Sequence, residues 1–229
     1  MAALGAAAAT GAGLSRMPLP FSRDQFFAVF VAYNEAVAPA QILLIAVGIG
    51  AAALALWPMR RSDRAIGLVL AGLWLWMGVE YHWRFFRPVN PAATLFGAAF
   101  VLEGVLLVWA TLLRSRLAFR SSRSLRGGLA LALLIYAFAI YPAIGWALGR
   151  RYPAAPTFGV PCPTTIATLA LLLWTVERPP VGLMLIPWAW ALIGSTAAFR
   201  LGMWEDLGLP VALVVSLWGW FARRSRTSV

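Results

Sequence analysis

The chain has 229 residues, 62% of them hydrophobic, and a formal net charge of +11 in which every basic residue is arginine. Its single cysteine, Cys162, excludes an intramolecular disulfide framework. The arginines sit at the ends of apolar runs and not in a soluble basic domain, which excludes nucleic acid as the partner of that charge.

Residues 1–16 are rich in Ala and Gly and lack a basic stretch ahead of an apolar core, so they read as disordered or as preceding a true start at Met17, and not as a cleaved signal peptide. Residues 17–229 read as one all-α membrane domain. A hydrocarbon core of about 30 Å needs roughly 20 helical residues. Such runs fall at about 37–57, 65–82, 92–113, 128–148, 162–177, 181–199 and 206–222. Lipid leaves no partner for free peptide groups and the runs lack the alternation of barrel strands, so seven transmembrane helices are expected.

Links after the first, third, fifth and seventh runs carry twelve arginines, among them Arg60, Arg61, Arg120, Arg123, Arg178 and Arg223, against seven on the other side. The positive-inside rule then puts the N-terminus outside and the C-terminus in the cytoplasm, with the inner arginines against anionic lipid headgroups. Tryptophans agree: Trp57, Trp109, Trp174, Trp218 and Trp220 mark inner ends, and Trp83, Trp146 and Trp204 outer ones.

In chain order, the polar residues gather at the outer ends. Asn34 or Glu35 is placed to cap the first span, and Asn90 followed by Pro91 to cap the third. Glu80 and Arg84 are one turn apart and suit an ion pair, whereas His82, the only histidine, points to another face. Glu103 is the one acid near mid-membrane, where an ionised carboxylate costs at least about 2.5–3.5 kcal/mol; it is protonated and bonded, paired, or beside water. Pro156, Pro161 and Pro163 predict a non-helical, inward-packed segment over 156–165, with the fifth span starting near Thr164. Cys162 at its centre reads either as a thiol activated by a helix N-terminus or as an inert apolar side chain. Thr164 and Thr165 are expected to turn their N–H groups to a pocket that receives His82 or Glu80. Arg200 is expected to pair with Glu205 or an acid on another loop, close to Asp206.

FSRDQFF (21–27), YNEAV (33–37), EYH (80–82), NPAA (90–93), PTFG with PCPTTI (157–166) and EDLGL (205–209) together resemble an uncharacterised family of bacterial multi-pass inner-membrane proteins. The resemblance runs from Met17 to about Trp220 and implies an inner-membrane location. It brings no activity, cofactor or catalytic residue.

Zinc held by Glu80, His82 and Cys162 lacks the repeated His or Cys ligands such sites use, so no metal is assigned, and the cofactor stays open. Four helix N-termini and several arginines at the outer face point to a small, anionic solute bound or transported in an outward vestibule. The alternatives are a non-catalytic subunit or assembly factor of a membrane complex, and a periplasm-facing enzyme using Glu80, His82 and Cys162.

Overall fold

The computed structural model describes residues 19–114 and 117–223. The expectations for residues 1–16, Arg116, Arg224 and Arg226 lie outside the described residues. The described chain is all-helical apart from isolated bridges. Seven helical rods follow one another: α1 (Arg23–Leu56); α2 (Ser62–Trp76) with a π-helical continuation Met77–Phe86; α3 (Ala93–Val108) ending in a π turn Trp109–Leu113; α4 (Leu125–Ile135), which runs through a π turn Tyr136–Ile140 into α5 (Tyr141–Ala147); α6 (Pro161–Leu173); α7 (Gly182–Leu201); and, after a 3₁₀ turn Trp204–Leu207, α8 (Gly208–Phe221). Five of the rods are long and apolar enough to cross a membrane. The exceptions are α6 and α8, of 13 and 14 residues, each about 20 Å at 1.5 Å per residue.

Two boundaries differ from those expected. α1 starts at Arg23 and not near 37, because Ser22 and Gln25 form a capping box: the Gln25 N–H donates to Ser22 Oγ (3.1 Å) and the Ser22 N–H donates to Gln25 Oε1 (2.8 Å). Asn34 and Glu35 are therefore interior residues of α1 and cap nothing. At the other site, Pro161 and Pro163 do not delay α6 to Thr164 but open it. Both lie in its first turn, where a helix has no acceptor for the missing N–H. Only 156–160 is irregular.

α6 is the axis of the bundle. All of its residues except Cys162 are buried, against α4, α7 and α8 with α1 alongside. α2 and α3 form a tight antiparallel pair, in which a Cβ at Gly78 would lie 2.9 Å from the Gly97 carbonyl oxygen and one at Gly104 3.0 Å from that of Ala71. Large apolar side chains of α1 such as Ile42, Leu43 and Ile49 face outward, as expected of a lipid-facing surface.

The rods close differently at their two ends. At the arginine-rich end Asp63 accepts from Arg120 (2.6 Å) and from the Phe119 N–H (2.8 Å), and Arg223 donates to the Leu173 carbonyl (2.8 Å) at the end of α6. Those carbonyls have no helical partner, and a guanidinium satisfies them while meeting the negative end of the helix dipole. At the acid-rich end a second, aromatic core of Phe26, Phe30, Tyr33, Tyr81 and Phe86 joins α1 to the π segment after α2.

Candidate functional site

At the acid-rich end the chain buries an ionic group that the spacing of its residues does not announce. Arg150, in the link after α5, holds Glu205 in the 3₁₀ turn through two parallel bonds, Nε to Oε1 (2.7 Å) and Nη2 to Oε2 (2.5 Å), and donates to the Gly202 carbonyl (3.0 Å). The two side chains are 9% and 0% exposed, so this is a bidentate pair away from water. Glu205 thus pairs with Arg150 and not with Arg200, which lies exposed near the end of α7. The Tyr136 hydroxyl donates to the Glu205 carbonyl (2.8 Å), fixing the turn to the π segment within the fourth rod.

Asp206, the next residue, is also buried and accepts from the Tyr141 hydroxyl (2.7 Å). Burial pushes its carboxyl up to about 7; the Tyr141 hydrogen bond opposes the shift, the neighbouring Glu205 charge adds to it, and the Cys162 thiol and Arg150 oppose it. Arg150 is already engaged by Glu205, so two adjacent carboxyls share one guanidinium.

Asp206 forms part of the wall of a cavity of about 280 Å³. Phe26, Phe30, Tyr81, Phe86, Phe96 and Trp190 give the wall an aromatic face, aliphatic residues with Asn90 and Thr196 complete it, and Tyr141 and Cys162 stand beside the carboxyl. Among the described residues that line it, Asp206 is the only charged one. Cys162, half-buried, is at this wall in the first turn of α6, its sulfur 3.7 Å from where a Cβ on Gly194 would sit.

The other expected site residues separate. Glu80 and Arg84 pair at 3.0 Å but on the surface, the arginine side chain 62% exposed, so they are not part of the cavity. His82 is buried behind the wall among Phe86, Phe96, Phe100 and Trp190, and among the described residues neither ring nitrogen has a hydrogen-bond partner. Thr164 is fully buried and does not line the cavity; its Oγ1 accepts from the Gly159 N–H (3.0 Å) and its carbonyl accepts from the Thr168 hydroxyl. Thr165 is buried, Glu35 is exposed, and Glu103 is fully buried in α3. Asn34 is a clamp: it donates to the Pro153 (2.5 Å) and Ala155 (2.7 Å) carbonyls and accepts from Thr157 (3.1 Å) and from Gln41. The polar residues of this end therefore form two buried clusters and a surface pair. Among the described residues no three His, Cys, Asp or Glu side chains come together to hold a metal ion.

Tyr141, Trp190 and Gln41 were not singled out by the sequence as site or network residues. The available signals were a polar Gln within an apolar run and a Tyr-Pro pair inside another.

The profile of the Family of unknown function (DUF6064) matches residues 23–229. The chain belongs to this family. The match begins a few residues after Met17 and continues to the last residue. No curated protein and no solved structure matches the chain. Membership of DUF6064 assigns no role to any residue, so the roles of Asp206, Tyr141, Cys162 and the Arg150–Glu205 pair rest on geometry.

Proposed function

We propose that the protein is a seven-span bacterial inner-membrane protein, N-terminus outside, that binds a small, largely apolar solute carrying a cationic or hydrogen-bond-donating group at its outer end and exchanges it across the membrane. The observation that carries this reading is that Asp206 is the one charged residue among the described residues lining a cavity whose wall is largely aromatic and aliphatic. Aromatic faces attract cations and accept apolar bodies, and a single acid fixes the orientation of the bound group. The sequence pointed toward an anion. The wall offers it no guanidinium, because Arg150 is taken by Glu205.

The pH dependence follows from Asp206. Burial pushes its carboxyl up to about 7, so below that a cation must displace a proton, and above it the carboxylate is ready. Affinity for tetraphenylphosphonium, measured by calorimetry in detergent, is expected to rise by up to about tenfold per pH unit below pH 7 and to level off above it. Asp206→Asn should remove the slope. Thermal stabilisation by benzoate or phosphate, with none by the cation, would overturn the assignment.

Orientation has its own measurement. Cysteines introduced at Arg87 and Arg151 in a Cys162→Ser background should react with an impermeant maleimide added to intact cells, and those at Arg61 and Arg123 only after lysis. The reverse pattern would turn the cavity toward the cytoplasm.

A further inference from the structure

Among the buried polar side chains without a hydrogen-bond partner in the described residues, two lie on the third rod, Glu103 in α3 and Thr111 in the π turn that ends it, and a third, His82, faces α3 from the π segment of the second rod. Glu103 lies midway along Ala93–Leu113, fully buried, and among the described residues neither carboxyl oxygen has a hydrogen-bond partner. One turn toward the acid-rich end is Phe100, whose ring centroid is 4.6 Å from that of His82, and both His82 nitrogens are without partners among the described residues. The rings around His82, Phe86, Phe96 and Trp190, are themselves the wall of the aromatic cavity. Toward the arginine-rich end, Thr111 lies eight residues beyond Glu103, about 12 Å along a helix. Its hydroxyl is buried and likewise unpartnered among the described residues. Thr111 lines a second cavity, of about 270 Å³, with Arg61, Asp63 and Arg64.

An unsatisfied buried polar group costs about 1–3 kcal/mol, and packing gains nothing from three of them spaced along the contact between the second and third rods, with a cavity at each end. Water is the partner such groups accept. We propose that the contact between the second and third rods is a proton path between the two cavities, with Glu103 as its obligatory carrier. It rests on the chain spanning a membrane and not on the identity of the solute.

In each passage the Glu103 O–H bond breaks toward water on the Thr111 side, and the carboxylate takes a new proton from water relayed past His82. Nothing is oxidised or reduced, and one positive charge crosses. The elements packed against α3 carry Asp63, Arg64, Glu80, Tyr81, His82 and Arg84 on the second rod and Arg200 on α7. Of these His82 touches Phe100; Asp63 and Arg64 line the second cavity.

The test is proton uptake into vesicles of purified protein containing a pH-sensitive dye, with a potassium diffusion potential to balance charge and no solute present. The wild-type chain should exceed protein-free vesicles, Glu103→Gln should fall to the protein-free rate, and Glu103→Asp should retain flux. Glu177→Gln, an exposed acid that lines neither cavity, should retain it too and serves as the control. Wild-type flux no greater than that of empty vesicles, or undiminished flux in a folded Glu103→Gln, would overturn the proposal. If that variant does not fold, a hydrophobic carbodiimide on the wild type decides. Modification mapped to Glu103 should abolish uptake, whereas no modification, or modification without loss of flux, refutes the path.

Discussion

Arg150→Met is expected to lower stability by about 3–5 kcal/mol, the range for removing one partner of a buried pair. The guanidinium satisfies both Glu205 oxygens and the Gly202 carbonyl. Without it, Glu205 and Asp206 stand next to each other in a buried site with no cation on either oxygen set. For a chain of this size such a loss corresponds to a drop of roughly 6–20 °C in Tm. The control is Glu205→Gln in the Arg150→Met background. Removing the stranded charge should recover most of the loss, since replacing both partners is far milder than removing one, and a double-mutant cycle isolates the pair. Thermal unfolding in detergent, followed by near-ultraviolet dichroism, reads all four proteins. A Tm for Arg150→Met within error of wild type would mean that the pair is solvated.

The helices were legible because each lipid-facing run is a continuous block of apolar residues, and most of the expected spans begin or end within a few residues of the observed rods. Glu80 and Arg84 were legible for a similarly local reason: a spacing of four residues on one helix face. The start of α1 was missed by looking for apolar length, when Ser22 and Gln25 spell the capping box that sets it. By residue type alone the prolines of 156–163 read as helix breakers. Position decides their effect, and at the first turn of α6 two of them are compatible with the helix. The site itself was less legible. Arg150 and Glu205 are 55 positions apart, and an arginine count by membrane side cannot tell which guanidinium a carboxylate will take. The expected partner, Arg200, is nearer in sequence, but α7 ends with Gly202 in the left-handed region (φ 67°), and the turn that follows directs Glu205 toward the fourth rod.

Asn34→Ala should be strongly destabilising, because one fully buried amide holds the 150–160 link in place. The backbone of Asn34 ties the link as well, since the Tyr152 hydroxyl donates to the Asn34 carbonyl (3.1 Å). The side chain does more, donating twice and accepting from Thr157 and Gln41. Alanine leaves two carbonyls, a hydroxyl and an amide without their partner, at about 1–3 kcal/mol for each that water does not reach. Asn34→Asp should be worse, since an ionised carboxylate facing the Pro153 and Ala155 carbonyls has acceptors where donors are needed. The link begins with Arg150 and leads into Cys162, so loosening it loosens both sides of the cavity. Hydrogen exchange should therefore rise over 152–160 in Asn34→Ala while the α2–α3 pair keeps its protection. Unchanged exchange there, with wild-type Tm, would show that the clamp is dispensable and that the link is held by the Arg150–Glu205 pair alone.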